Sequence, residues 1–525
     1  MIYRIFKVTV DLVFVGFVFC LGLPMTWAQG AIENPLPTSV SAAMRSANLP
    51  DDALGVVVLR QSDGATVVSH HANVSFAPAS TMKLVSTFIG LDRLGPIYRG
   101  SVEMHTNAQQ VGSVLKGDVV LRGLADMDFD WEVFQRMLQT LRNNGIDSID
   151  GNLLVDRHFY LPARLDIGLP PFDESPEFRY NVIPDALNLN LNLLQLNLTS
   201  TENGLRIRLT PELDRVNFVS RMAMVNRACK DWEDGWVMPT QTFAADGSIE
   251  VQLQGTFPKN CLTTTNINVI DRADYTARLF KSLWSKLGGT FGGQVIESSA
   301  SIARGQILAE HRSRPLGEIV RDINKPSDNT FARMLYLNIG TVRAADIASK
   351  NNHLTVVATP QSASPTLVLA GQEVRDWFVR QGINDDGLVM ENGSGLSRLE
   401  RIRPSQLAGL LRIASQSNWS PEFMASLPIA GLDGTMQNRL RNSPAAGRAR
   451  LKTGSLRDVA SVAGYVPDAA GQMCIVVAFI NHPSASSAVA GLVLDTLIDW
   501  VAKTDTRGVV QNEIRRDWLI EQMKM

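Results

Sequence analysis

Histidine and cysteine are scarce in this chain, with seven and four in 525 residues. The histidines are scattered, and neither a His-Glu-x-x-His nor a Cys-x-x-Cys spacing occurs. The patterns that hold a catalytic or structural metal are therefore missing, and no metal is expected. Charge of one sign is lacking too: Lys plus Arg number 50, Asp plus Glu 52, for a net charge of −2. That balance excludes a dedicated nucleic-acid binder. The apolar run 12–23 is too short to span a bilayer comfortably. What the chain does have is 45% hydrophobic and 19% charged residues. It can bury a sizeable core, divided over roughly three domains by length.

Residues 1–28 read as an export signal. Arg4 and Lys7 precede the apolar run, and Thr26-Trp27-Ala28 offers the small residues a signal peptidase needs, so the mature chain begins at Gln29. Asp11 within the early apolar region keeps an uncleaved anchor open as the alternative. Cys20 lacks the small-residue context of a lipoprotein site. Export to the periplasm means an oxidising compartment. Cys229 and Cys261, close together in a turn-rich region, are then expected to form a disulfide. Cys474, within the apolar run 473–480, is expected as a buried small side chain.

Along the chain, 37–49 reads as a short helix, apolar at Val40, Ala43 and Met44. Strands at 55–60 and 66–69 flank the turn Gln61-Ser62-Asp63-Gly64. Met82, Val85, Phe88, Ile89, Leu91 and Leu94 predict a helix with one buried face, and Pro78 fixes its start near Ala79 or Ser80. Strands at 101–105, 117–122 and 149–155 surround a helix at 131–143. From 159 to 264 helical periodicity vanishes, and the stretch reads as a β-rich module. Within it the alternation Leu187-Asn188-Leu189-Asn190-Leu191-Asn192-Leu193 predicts a half-buried strand. A helix at 274–287 and an extended stretch at 291–303 follow. Further helices are expected at 316–323, 331–339, 373–381 and 404–415. Three strands come next, at 449–456, 459–466 and 473–480, and then a helix at 484–502. Residues 512–525 have the pattern of an amphipathic helix, for packing on the protein or for weak membrane contact.

Three short motifs stand out. Ser80-x-x-Lys83 puts a hydroxyl and an amine on one side of a helix start. A serine is a poor nucleophile until a base takes its proton. A lysine serves as that base if burial or a second cation lowers its pKa. Unpaired N–H groups at the helix start favour negative charge developing nearby. Ser327-x-Asn329 sits on a turn between two helices, and Lys452-Thr453-Gly454 lies in the first of the three late strands. Singly, these have plain structural explanations, since Ser and Asn are favoured at caps and turns. The glycine-rich loop 387–398 lacks the glycine spacing of a phosphate loop.

In this order and context, the three motifs resemble the signature set of penicillin-binding proteins and serine β-lactamases. A long insertion separates the first motif from the second. Together with Asn392-Gly393-Ser394-Gly395-Leu396-Ser397-Arg398, Leu427-Pro428-Ile429-Ala430-Gly431 and Lys452-Thr453-Gly454-Ser455-Leu456, it narrows the likeness. The chain resembles the D-alanyl-D-alanine carboxypeptidase/endopeptidase family of low-molecular-mass class C penicillin-binding proteins. The resemblance implies an α/β (α+β) transpeptidase fold, an antiparallel sheet flanked by helices, with two nested inserted domains. The catalytic domain would take 29–97 and 308–525, an inserted α/β domain 98–158 and 265–307, and a nested β-rich domain 159–264.

By the same resemblance, Ser80 attacks the penultimate D-alanine carbonyl of a peptidoglycan stem peptide. Lys83 accepts its proton, with burial and Lys452 as the effects that lower the Lys83 pKa. Ser327 relays a proton to the leaving amine, and Asn329 holds the substrate amide and Lys83. The strand from Lys452 through Thr453 to Ser455 pairs with the substrate backbone, and Gly454 leaves room for it. Backbone N–H groups of Ser80 and Ser455 form the oxyanion hole. Asp156, reaching over the cleft, recognises a diaminopimelate side chain with Arg398; Arg457 stands where some relatives carry Gln. β-Lactam antibiotics are expected to bind, no cofactor is implied, and an oligomer is left open. Two other readings remain. A class A β-lactamase would need a positioned glutamate, and no Glu-x-x-x-Asn context lies in a plausible loop. A catalytically idle wall-binding protein sits poorly with intact motifs.

Overall fold

The computed structural model describes residues 35–167, 176–351, 365–485 and 487–508. The expected export signal at 1–28 and the expected helix at 512–525 lie outside the described residues. Chain from both ends of the described sequence builds one sheet. Its strands run in the order Arg450–Leu456, Val459–Pro467, Met473–Asn481, Leu54–Arg60, Thr66–His70, all antiparallel. Period-2 alternation divides the side chains between two layers. Val56, Val58, Val476, Ala478 and Ile480 pack with the helices Thr38–Ser46 and Ser487–Lys503. Val57, Ile475, Val477 and Phe479 face the opposite core, with Val85, Phe88, Leu407 and Leu411. Every residue of Val459–Pro467 is buried, as a strand covered on both faces must be. Each buried Val, Leu, Ile or Phe contributes roughly 1.5–3 kcal/mol relative to exposure.

The helix expected after Pro78 is present, with a difference. Ala79–Met82 is a 3₁₀ turn, and the α-helix runs Lys83–Leu94. It buries more than one face, because every residue from Lys83 to Leu91 is buried. It is wrapped by the helices Leu316–Asn324, Asn329–Asn351 and Pro404–Gln416. Its polar side chains therefore need internal partners. Thr87 Oγ1 donates to Lys83 O at 2.6 Å, and Ser86 Oγ donates to Gly393 O at 2.5 Å.

A second sheet orders its strands Val295–Glu297, Leu153–Asp156, Val119–Leu124, Ser101–Thr106, Gln306–Arg312. The helices Trp131–Asn143 and Arg272–Lys286 share its core. Both are capped by an aspartate side chain: Asp130 accepts from Val133 N, and Asp271 from Ala273 N. Strand Gln306–Arg312 pairs with Ser101–Thr106, so the expected boundary at 307/308 runs through a strand.

The β-rich stretch forms a three-stranded and a four-stranded sheet around Leu196, Leu198, Trp232, Leu253 and Phe257. Cys229 and Cys261 are joined there by a disulfide, and Cys474 is buried in the central sheet. The strand expected at 187–193 is absent. Asn190, Leu191 and Asn192 have φ of 51°, 55° and 55°, which no strand passes through. Asn side chains outcompete the ladder here. Asn190 Nδ2 donates to Leu193 O at 2.6 Å, and Asn192 Nδ2 to Ile270 O at 2.8 Å. The strand begins one residue later and runs Leu194–Ser200. Among the described residues, no helix is long and apolar enough to cross a membrane.

Candidate active site

Three segments distant in sequence meet at the edge strand Arg450–Leu456. The turn that carries Ser80 rests directly on it. Ser461 Oγ, on the neighbouring strand, donates to Pro78 O at 2.6 Å. Ala79 takes a left-handed φ of 46°, which turns Ser80 out of the preceding chain. A methyl group on Gly454 would lie 2.2 Å from Ser461 Oγ and 2.8 Å from both Pro78 O and Ser80 N. The glycine was expected to make room for substrate. The side its missing Cβ leaves open is filled by the protein's own serine turn. Gly395 plays the matching part from the other side: at φ 81°, a Cβ there would come within 1.8 Å of Ala79 O.

Lys83 is fully buried, and its amine has three neighbours. Nζ lies 2.9 Å from Ser80 Oγ, 2.6 Å from Asn329 Oδ1 and 2.6 Å from Ser394 O. Two of these are carbonyl oxygens, which can only accept. A neutral amine has two N–H bonds and one lone pair. With both N–H groups given to the carbonyls, the lone pair faces the Ser80 hydroxyl. Burial pushes the Lys83 amine down to about 7; Asp328 and Glu400 favour its cation, and Arg333 opposes it. The second cation expected to act here was Lys452. The effect runs the other way: Lys452 is itself held well below its ordinary range, by burial first and then by Lys83.

Lys452 Nζ donates to Ser327 Oγ at 2.9 Å and to Thr453 O at 2.8 Å. Ser327 sits at a left-handed φ of 66° on the turn before the helix Asn329–Asn351. Asp328 caps that helix, accepting from Phe331 N at 2.9 Å. Asn329 therefore starts the helix with its carbonyl on Lys83, and its Nδ2 donates to Tyr180 O at 3.0 Å. Thr453 Oγ1 donates to Thr435 Oγ1 at 2.7 Å. Segment 428–430 covers the start of the edge strand, with Leu451 N donating to Pro428 O at 2.8 Å. From Lys452 to Leu456 the outer edge has no strand partner among the described residues.

Ser80 stands between two cavities. One, of about 350 Å³, is lined by Tyr180, Asn329, Arg398, Ser455 and Arg457. The other, of about 500 Å³, is lined by Ser327, Thr435, Arg439, Thr453 and Leu492. Arg398 and Arg457 are thus brought to one side of Ser80. Asp156 is not, and this corrects the expectation that it reaches over the cleft. Its carboxylate is buried in the second sheet. It accepts from His158 N at 2.9 Å and Ile302 N at 3.0 Å. The side chain serves the ends of that sheet. Tyr180, Thr435 and Arg439 gave no sequence signal, because nothing in their neighbours marks them apart from loop or helix residues.

Among the described residues, one group of metal-ligating side chains gathers, at the opposite edge of the sheet: Asp51, His70 and His71. His70 Nε2 lies 3.2 Å from Asp51 O, and His71 Nδ1 lies 3.2 Å from Leu54 O, tying the hairpin to the preceding turn.

The chain is similar to known proteins over most of its length. It is 25% identical over 472 residues to a D-alanyl-D-alanine carboxypeptidase of Actinomadura sp. (strain R39), covering 87% of this chain and 82% of that one. It is 23% identical over 466 residues to the D-alanyl-D-alanine carboxypeptidase DacB of Haemophilus influenzae, covering 86% and 90%. Its fold matches the crystal structure of penicillin binding protein 4 from Haemophilus influenzae with a TM-score of 0.72 at 22% identity, over 89% of this chain and 99% of that one. The sequence model of the D-Ala-D-Ala carboxypeptidase 3 (S13) family matches residues 36–503, and the chain belongs to that family.

Proposed function

We propose that this serine D-Ala-D-Ala carboxypeptidase forms its acyl-enzyme on Ser80, with neutral Lys83 as the general base. The observation that carries this is the amine geometry: Nζ lies within hydrogen-bond distance of two carbonyl acceptors and of Ser80 Oγ, so a neutral amine that donates to both carbonyls turns its lone pair to the hydroxyl. Ser80 Oγ attacks the penultimate D-alanine carbonyl while its proton passes to Lys83 Nζ. The oxyanion is received by the N–H groups of Ser80 and Ser455; losing one such donor costs about 2.7–4 kcal/mol elsewhere. Ser327, bonded to Lys452, relays the proton taken from Ser80 to the leaving amine, which returns Lys83 to its neutral form. Water then frees the acyl group.

The substrate backbone adds to the open edge from Lys452 to Ser455. Arg398 and Arg457 meet the carboxylates of the stem peptide in one cavity. The leaving D-alanine, or the second stem of a cross-link, departs past Thr453 into the other. Penicillin, a stem-peptide mimic, acylates the same serine. One solved structure of the Haemophilus influenzae protein holds a β-lactam, at a TM-score of 0.67 and 22% identity. We also propose an exported, periplasmic protein with a catalytic, an inserted and a nested domain, the return to the catalytic domain falling after Arg312 rather than at 307/308.

Purified muropeptides, monomeric and cross-linked, test the reading by mass analysis. Release of D-alanine or cleavage of the cross-link is expected from the full-length enzyme. Neither product, together with no covalent penicillin adduct, would sink it.

A further inference from the structure

Glu400 is a buried carboxylate that the mechanism above does not use. It is 0% exposed, and it lies just beyond the loop that meets Lys83. Its Oε1 accepts three consecutive backbone N–H groups: Glu391 at 3.1 Å, Asn392 at 3.0 Å and Gly393 at 2.9 Å. Successive N–H groups pointed at one anion make a rigid nest. Its Oε2 is buried as well, and the Gly395 N–H also acts on the carboxylate. The loop so gathered reaches the nucleophile at two places. Ser394 O receives Lys83 Nζ at 2.6 Å, and Gly395 packs on the Ala79 carbonyl. Gly393 O takes the Ser86 hydroxyl, fixing the loop to the helix that carries Lys83.

We propose that Glu400 is a positioning residue for the general base: it holds the loop so that Ser394 O orients Lys83, and its negative charge sets the pH at which Lys83 becomes competent. Of the charged groups acting on the amine, Asp328 and Glu400 favour its cation and Arg333 opposes it, while the neighbouring Lys452 is itself shifted by Lys83. Around Glu400 itself stand Lys83, the buried Arg333 and the buried Tyr336. Burial pushes the carboxyl above its ordinary value, and the nest of N–H groups pulls against that. Of the two carboxylates acting on Lys83, Asp328 acts more strongly, with a side chain 9% exposed and paired with Arg179; Glu400 is fully buried and holds the loop that meets the amine.

The inference rests on Lys83 being the base, so three variants are read together as pH profiles of acylation by a chromogenic β-lactam. Glu400→Gln keeps an oxygen for the nest and removes the charge. Its acid limb is expected to move to lower pH by about one pH unit, so that at acid pH it retains more of its own plateau than the wild type does. Glu400→Asp keeps the charge and shortens the reach to the nest. Its acid limb should stay in place while the plateau falls about tenfold to a hundredfold. A merely structural glutamate would lower both plateaus and move neither limb; that result overturns the proposal. Should Glu400→Gln not fold, by circular dichroism and thermal unfolding, Glu400→Asn is read against Glu400→Asp, since the two match in size and differ in charge. An Asn limb below the Asp limb is expected, and limbs that coincide overturn the proposal. Lys83→Met separates the two claims. If it acylates normally, the assignment of the base fails. If it is inert and the Glu400→Gln limb is unmoved, only this inference fails.

Discussion

The cleft around Ser80 and the β-rich region solve opposite problems. The cleft buries ionisable groups: Lys83, Lys452 and Glu400 are each 0% exposed. It tolerates them through carbonyl acceptors, a nest of N–H groups and a neighbouring cation. The β-rich region is built on an apolar cluster, Leu196, Leu198, Leu253, Phe257 and Trp232, closed by the bridge from Cys229 to Cys261, and its buried carboxylates Glu177 and Asp185 lie outside that cluster. A small core of this kind gains from a cross-link, because a disulfide lowers the entropy of the unfolded chain. One region thus trades stability for reactivity, and the other is built for stability alone. Changes in the cleft should alter acylation with little effect on folding, and changes in the nested region should do the reverse.

The largest effect is expected from Ser80→Ala. Covalent labelling by penicillin should vanish, with unfolding free energy within about 0.5 kcal/mol of wild type. Residual labelling would mean another nucleophile. Lys83→Met, close in bulk but unable to take a proton, should slow acylation by about 10²–10⁴-fold, read by stopped-flow. Near-normal rates would remove it as the base. Gly454→Ala comes next. Its methyl group meets Ser461 Oγ at 2.2 Å, so the serine turn must shift. Acylation should fall at least about tenfold, with about 1–3 kcal/mol of strain visible in denaturant unfolding.

A smaller effect is expected from pH. Lys83 must be neutral to accept a proton, and its amine sits at about 7. Acylation should therefore be full above that value and decline as pH falls through it. A rate flat from pH 8 to 5 would contradict a lysine base with this titration. The smallest effect on acylation should come from Cys229→Ala with Cys261→Ala. Unfolding of the nested region should become easier by about 2–4 kcal/mol, while penicillin labelling stays within about twofold. A large loss of labelling there would show that the two regions are not energetically separate.

The same contrast explains how much could be read from residues in a row. The late strands, the hairpin and the helices at 131–143 and 404–415 follow from periodicity, because each buries a face that repeats along the chain. The segment 187–193 also alternates, yet three left-handed residues occupy it. Asparagine finds partners, local for Asn190 and distant for Asn192, that a pattern of apolar and polar letters does not register. Asp156 failed for a related reason. A carboxylate at a strand end looks the same whether it faces a cleft or its own sheet.

The amino-acid sequence by itself determined which chemical groups are available. A serine and a lysine lie three residues apart at a helix start, with a Ser-x-Asn turn and a Lys-Thr-Gly strand far downstream. Only the tertiary structure decided what those groups can do. The acceptors that orient Lys83 lie 246 and 311 residues away from it in the chain. The physical reason is desolvation. An amine becomes a base near neutral pH when folding removes its water and leaves its lone pair a single place to point, and no local spacing encodes that.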